Sequence, residues 1–293
     1  MKKRKWIQRM ALIAASLFLA PVSWAASDVI QIKGSDTMVN LGQAWAEEFM
    51  RQNPQVNIAV TGGGSGTGIA ALINGTTNIA ESSREMKPEE KAGVLKSRGK
   101  EVREFTVAMD ALAVIVHPSN PVSELTLDQL SDIFTGKIKN WKDLGGPDLS
   151  ILVLSRERNS GTHVYFLEEV VRKGRAKGPE EFAASVLMMP SSQAIAQEVA
   201  QSRGAVGYLG LGYVTKQHQT MGVKKDAANP AIHPSVETAQ NETYPIARPL
   251  YIFTVGEPEG DVKRFVDFAH SPEGQEIVRA MDFVPLAGLE EKK

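Results

Sequence analysis

Val56-Asn57-Ile58-Ala59-Val60-Thr61 runs into Gly62-Gly63-Gly64-Ser65-Gly66-Thr67-Gly68 and then into Ile69-Ala70-Ala71-Leu72. The first six residues read as a strand, the glycine-rich stretch as a turn, and Gly66 to about Asn74 as a helix. The same order stands just upstream. Val29-Ile30-Gln31-Ile32 reads as a strand, Gly34-Ser35-Asp36-Thr37 as a turn, and Leu41 to Gln52 as a helix with Trp45 and Phe49 on one face, stopped by Asn53-Pro54. Strand, turn and helix in repetition is the βαβ rhythm of an α/β protein with a mainly parallel sheet.

Further along, two short apolar runs, Ala111 to His117 and Pro249 to Val255, lie far apart in the chain. Between them are strands of their own (Ile151 to Leu154, Ala205 to Leu209) and helices of their own (Thr126 to Phe134, Thr162 to Arg172, Ser191 to Gln201). After them come helices at Asp261 to His270 and Pro272 to Met281. A chain that leaves one lobe, builds a second and returns crosses between them twice. The expected division is residues 28–112 plus 252–293 for lobe one and 113–251 for lobe two. No internal repeat is visible, and the charge-biased Glu290–Lys293 tail is expected to be disordered.

Residues 1–26 are expected to be a secretory signal peptide rather than part of the fold. Lys2, Lys3, Arg4, Lys5 and Arg9 precede an apolar Met10–Val22 stretch, and Ser23-Trp24-Ala25-Ala26 offers the small residues of a cleavage site. That apolar stretch is too short for a membrane span. There is no cysteine, which rules out disulfides and thiolate metal sites and leaves no residue for a lipid anchor. A periplasmic location follows as the expectation. Loss of the five basic leader residues takes the formal charge from −1 to −6. A negative chain has no general attraction for nucleic acid or anionic membrane. If it binds an anion, it must use local dipoles and few charges.

Three turns share one design, with small residues between a strand and a helix: Gly34-Ser35-Asp36-Thr37, Gly62 to Gly68, and Arg156-Glu157-Arg158-Asn159-Ser160-Gly161-Thr162. A fourth, Glu81-Ser82-Ser83-Arg84, follows Ile79-Ala80. A helix start presents unsatisfied, partly positive backbone amides. Glycine admits a ligand close to the backbone, and Ser and Thr add hydroxyl donors. Together these make anion sites with little net charge. Taken singly, each turn is also ordinary capping material. No Gly-Lys-Ser/Thr follows the glycines, so this is not a Walker loop, and the Gly66-x-Gly68-x-x-Ala71 match to a dinucleotide fingerprint sits several residues after its strand. Ser160 near His163 forms no nucleophile elbow, and the five histidines show no metal-ligand spacing.

Gly62–Gly68 with Ile69-Ala70-Ala71-Leu72, Leu130-Ser131-Asp132-Ile133-Phe134-Thr135-Gly136-Lys137-Ile138-Lys139-Asn140-Trp141, Arg156…Ser160-Gly161-Thr162, and Gly204-Ala205-Val206-Gly207-Tyr208 together resemble the phosphate-binding proteins of bacterial phosphate ABC transporters. The resemblance spans nearly the whole chain after the leader. It implies a type II periplasmic-binding-protein fold, with two α/β lobes joined by two hinge strands and closing on one phosphate ion. It also implies no enzyme activity and no cofactor, a monomer, and delivery to membrane permease subunits. By this resemblance Ser35, Asp36, Thr37 and Ser65 supply donors from lobe one, Arg156 is the single charged partner, and Ser160, Gly161 and Thr162 cap the ion from lobe two. High-affinity members carry an aspartate that accepts the proton of hydrogen phosphate; the matching residue here is Ser83. A serine hydroxyl both accepts and donates, so it discriminates less. The acceptor is then Asp110 or Asp36, and Arg84 either adds charge to the site or pairs with Glu85 or Glu81. Sulfate, molybdate, tungstate or a phosphonate is the alternative ligand, and a serine hydrolase using Ser160 or Ser65 the alternative of another class.

Overall fold

A computed structural model describes residues 29–286. The leader at 1–26 and the Glu290–Lys293 tail lie outside these residues. The chain opens with β1 (Ile30–Gly34), α1 (Val39–Gln52), β2 (Ile58–Thr61), α2 (Ser65–Asn74), β3 (Ile79–Ser82) and α3 (Pro88–Arg98). Long strand β4 (Val102–Val116) leads to β5 (Glu124–Thr126), α4 (Leu127–Phe134), β6 (Leu152–Arg156), α5 (Gly161–Phe166), β7 (Leu187–Met189), α6 (Ser192–Gln201), β8 (Ala205–Gly210), β9 (Gln219–Thr220), β10 (Gly222–Lys224) and α7 (Val236–Gln240). The chain returns through β11 (Ala247–Val255) to α8 (Gly260–His270) and α9 (Pro272–Ala280).

One sheet runs β2-β1-β3-β11-β4-β8-β6-β7, with β9 added on β4. Its two ends are parallel, as the βαβ rhythm requires: β2-β1-β3 on one side and β8-β6-β7 on the other. The middle is antiparallel, because β4 and β11 run in opposite directions along their shared length, from Val102↔Val255 to Ala111↔Ala247. A bulge at Leu250/Tyr251 breaks their register; bulges of this kind bend a strand and increase its twist.

The apolar core divides along these two strands. One cluster gathers Ile32, Leu41, Trp45, Phe49, Ala108, Leu250 and Phe265. Another gathers Ala111, Leu112, Phe134, Trp141, Phe166, Tyr208 and Ile246. The changeover falls between Ala108 and Ala111 on β4 and between Ile246, just before β11, and Leu250 on it. Helix α1 shows why its sequence folds as it does: Leu41, Trp45, Ala46 and Phe49 form one buried stripe at helical spacing, and the Trp45 indole donates to the Gly274 carbonyl at 2.8 Å.

Three elements differ from the sequence reading. Strand β4 begins at Val102, well before the apolar run at Ala111, because its first residues are half-exposed and carry Arg103 and Glu104. Helix α3 has only Val94 buried, so no apolar stripe announces it. Its signals are terminal: Pro88 at the start, acidic Glu89 and Glu90 in the first turn, basic Lys96 and Arg98 in the last, and Gly99 at φ 70° closing it. The helix expected from Thr162 to Arg172 is α5 followed by a π-turn over Leu167–Val171.

Candidate functional site

The four Gly/Ser/Thr turns converge at the junction of the two lobes. Ser35, Thr37, Ser65, Ser83, Ser160 and Thr162 are all buried. From lobe one, Ser35 Oγ donates to Ser83 Oγ at 3.0 Å, and Ser65 Oγ accepts from the Ser83 amide at 3.1 Å. Across the lobes, Thr37 Oγ1 and Thr162 Oγ1 lie 2.9 Å apart. Ser160 caps α5, its Oγ accepting from the amides of Thr162 and His163. Gly161 comes so close to lobe one that a Cβ there would stand 2.3 Å from Ser65 Oγ and 2.7 Å from Ser83 Oγ. Only glycine fits that approach.

Local geometry explains the convergence. Gly63 and Gly64 take φ of 114° and 95°, values that residues with a Cβ rarely adopt. This bends the chain so that the Gly64 amide donates to the Gly34 carbonyl at 2.8 Å and places Ser65 at the head of α2. The Gly66 amide then donates across the lobes to the Asn159 carbonyl at 2.9 Å, and Asn159 Nδ2 donates back to the Gly63 carbonyl at 2.8 Å.

The charged residues are arranged differently from the sequence expectation. Arg156, expected as the ion's one charged partner, points to protein groups: Nη1 lies 3.1 Å from Asp36 Oδ2 and donates to Ser192 Oγ at 2.9 Å, and Nη2 donates to the Pro190 carbonyl at 3.0 Å. Asp36 Oδ2 also accepts the Ser192 amide at 2.8 Å, and its carbonyl accepts Tyr213 Oη at 2.8 Å. Asp36 is therefore a clasp between the lobes. Arg84 is held by Glu90, not by Glu85 or Glu81 side chains: its Nη1 and Nη2 donate to the two carboxylate oxygens at 2.8 and 2.7 Å. A fork-to-fork pair of this kind satisfies most of its donors.

The guanidinium among the hydroxyls is Arg248, which sequence reasoning missed. Its Nη2 donates to Thr162 Oγ1 at 3.0 Å and reaches Thr37 Oγ1 at 3.5 Å. Asp110 stands directly opposite on β4 and accepts from Arg248 Nε at 3.2 Å and Nη2 at 2.9 Å. Its other oxygen accepts the Leu211 amide at 3.3 Å. Asp110 is thus the counter-ion of Arg248, with its oxygens already engaged. The signal was Arg248-Pro249 at the head of an apolar run: an arginine entering a buried strand needs a buried partner.

Burial shapes the electrostatics. It raises the Asp110 carboxyl above its ordinary value, with Arg248 pulling the other way. It lowers the Arg156 guanidinium, opposed by Asp36, and it lowers the His163 imidazole. The His163 ring meets the Arg156 carbonyl and Ser155 Oγ rather than Ser160 Oγ, so His163 does not serve Ser160 as a base. Among the described residues no cluster of His, Cys, Asp and Glu could hold a metal ion, and no helix is long and apolar enough to cross a membrane. Arg248 Nη1 and Arg156 Nε are buried and without hydrogen-bond partners among the described residues. A buried donor with no acceptor costs about 1–3 kcal/mol. Hydroxyls, a helix start and a guanidinium with an unused N–H together suit an anion with several acceptor oxygens.

Residues 21–273 match the model of the PBP superfamily domain. The chain is 34% identical over 269 residues to the phosphate-binding protein PstS of Pseudomonas aeruginosa, covering 86% of this chain and 81% of that one. To PstS of Bacillus subtilis it is 35% identical over 269 residues, covering 90% and 83%. Among solved structures, a Clostridium perfringens protein described as a phosphate ABC transporter substrate-binding protein, with bound phosphate, superposes with a TM-score of 0.79 at 33% identity, covering 88% of this chain and 100% of that one. The shared architecture is the type II periplasmic-binding-protein fold, two α/β lobes joined by two hinge strands.

Proposed function

The chain belongs to the PBP superfamily and, within it, to the family of PstS phosphate-binding proteins, and from that premise we propose that it captures inorganic phosphate between its lobes and delivers it to the permease subunits of a phosphate ABC transporter. It does so as a periplasmic monomer released by cleavage of residues 1–26, and it catalyses no reaction. The lobes divide near Asp110 on β4 and Arg248 on β11.

The observation that carries this reading is the buried cluster of Ser35, Thr37, Ser65, Ser83, Ser160 and Thr162, with Arg248 reaching Thr162 and Thr37 and its Nη1 unpartnered among the described residues. Phosphate oxygens take hydrogen bonds from these hydroxyls, from the Gly161 amide at the head of α5, and from Arg248. Charge-assisted bonds of this kind contribute about 1.5–3 kcal/mol each. Because lobe one and lobe two both supply donors, the ligand favours the closed form over any open one. Asp110 is committed to Arg248 and Asp36 to Arg156, so the proton of hydrogen phosphate goes to a hydroxyl, with Ser83 placed for it. A hydroxyl accepts less selectively than a carboxylate; preference for phosphate over sulfate is therefore modest.

The test is titration calorimetry with phosphate and sulfate on protein stripped of bound ligand. Wild type binds phosphate, and Arg248→Lys, which keeps charge but loses the planar fork, binds it at least tenfold more weakly. No phosphate binding by the wild type overturns the reading. An unaltered affinity in Arg248→Lys removes Arg248 from the site.

A further inference from the structure

Beside the hydroxyl cluster lies a cavity of about 580 Å³ whose lining includes Ser83 and Arg248, both members of that cluster. A tetrahedral oxyanion has five heavy atoms and, at about 30 Å³ per water-sized group, fills only about 150 Å³. The cavity therefore offers room beyond the ion, and its size is that of a small-molecule site, roughly 300–1,000 Å³.

Its lining carries both signs of charge. Arg248 and Arg84 line it, both at least nine-tenths buried, and each keeps one buried N–H without a partner: Nη1 of Arg248 and Nε of Arg84. Arg248 is held in place by Asp110 and by the Tyr165 ring, whose centroid lies 5.4 Å from Cζ. The rest of the lining carries four glutamates against two lysines. Two of those glutamates, Glu168 and Glu169, are adjacent on the π-turn after α5, and neither enters an ion pair among the described residues. Burial, and after it the neighbouring Glu168 carboxylate, raise the Glu169 carboxyl above its ordinary value.

We propose that the site also takes a phosphoryl group carrying a short aminoalkyl chain, as in an aminoalkylphosphonate or an aminoalkyl phosphomonoester. The phosphoryl oxygens occupy the Ser83–Arg248 end, the chain runs through the cavity past Tyr165, and the ammonium meets Glu168 and Glu169. This rests on the anion-site reading above, since the phosphoryl end is the same site. It adds an organic substituent and a cation subsite, and it needs no covalent step.

Competition calorimetry on ligand-stripped protein tests it, using inorganic phosphate, 2-aminoethylphosphonate and ethylphosphonate. The aminoethyl compound is expected to bind and to be displaced by phosphate, and ethylphosphonate to bind roughly fivefold more weakly for want of the ammonium–carboxylate contacts. The double variant Glu168→Gln, Glu169→Gln is expected to abolish that difference and leave phosphate affinity unchanged. Phosphate binding without any aminoethylphosphonate binding at millimolar concentration overturns the proposal and leaves the phosphate reading intact. Absence of binding by all three overturns both. Equal affinity for the two phosphonates in the wild type, or an equal loss of phosphate affinity in the double variant, overturns the role of Glu168 and Glu169.

Discussion

Glu81 sits on β3, fully buried, with neither carboxylate oxygen hydrogen-bonded among the described residues. Its Oε1 lies against Gly42 of α1, where a Cβ would be 2.4 Å away. Loss of hydration alone raises its pKa from the usual 4.5 to about 8. The folded protein therefore holds a proton that the unfolded chain has released, throughout the window from about pH 4.5 to about pH 8. A raised carboxyl pKa works against the fold as pH climbs: stability falls by about 1.4 kcal/mol per pH unit inside the window and levels off above the folded value. Across about 3.5 units the loss approaches 5 kcal/mol. At roughly 2–4 °C per kcal/mol for a chain of this size, the melting temperature loses about 3–6 °C per pH unit from this group. Glu81→Gln keeps the shape and removes the titration. Other titrating groups, Asp110 and His163 among them, are common to both proteins and cancel in the difference. Calorimetric melting of wild type and Glu81→Gln from pH 5 to pH 8, without ligand, should thus show the variant gaining steadily on the wild type with pH. A constant offset from the buried amide is allowed. A difference that stays flat over those three pH units refutes the reasoning, because Glu81 would then be no more protonated folded than unfolded.

Asp110→Asn leaves Arg248 buried without its counter-ion, a loss of up to about 3–5 kcal/mol. Calorimetry should show a melting temperature lower by roughly 6–20 °C, with phosphate restoring a larger share of stability than it adds to wild type. Gly161→Ala drives a methyl into Ser65 Oγ and Ser83 Oγ of the opposite lobe. Titration should show phosphate bound at least tenfold more weakly, a change of about 1.4 kcal/mol, while the ligand-free melting temperature moves by only a few degrees because the lobes can separate. Asp36→Ala removes the acceptor of the Ser192 amide and the partner of Arg156. Stopped-flow measurement should find phosphate released about tenfold faster, since contacts made only in the bound arrangement act mostly on the off-rate.

The parts of this molecule legible in the sequence are those with local signals. Helix α1 announces itself through Leu41, Trp45 and Phe49, and α2 through the glycines ahead of it. The donors Ser35, Thr37, Ser65, Ser160 and Thr162 lie at strand–helix junctions, where a short window suffices to find them, and the structure brings them together. Helix α3 was silent because it lies on the surface with one buried residue. The charged residues were misread for a different reason. Arg156 lies next to Ser160-Gly161-Thr162 in sequence, but its guanidinium turns to Asp36, Ser192 and Pro190. Which acceptor a long side chain finds depends on the loop opposite, here 120 residues away in the chain for Asp36.

Asp110 and Arg248 are separated by 138 positions, and only the antiparallel register of β4 and β11 makes them neighbours. No local pattern encodes such a pair, yet its position has a mechanical consequence. Both residues stand where the chain passes from one core to the other, on the two strands that join the lobes. A rotation of the lobes about these strands would displace the pair least and would part Thr37 from Thr162 and Asp36 from Arg156. In such a rotation the buried cation would stay with its carboxylate on the two strands, while Thr37 and Thr162 bring hydroxyls to it from either side. That arrangement spares the fold from moving a desolvated guanidinium, whose burial is tolerable only beside its carboxylate. It also places the free energy of closure in contacts that exist only between lobes: Thr37 to Thr162 at 2.9 Å, Gly66 to Asn159 at 2.9 Å, and Asp36 to the Ser192 amide at 2.8 Å. An anion bridging the same surfaces adds to these contacts in the closed form alone, and a ligand shifts such an equilibrium only by its difference in affinity between the two forms.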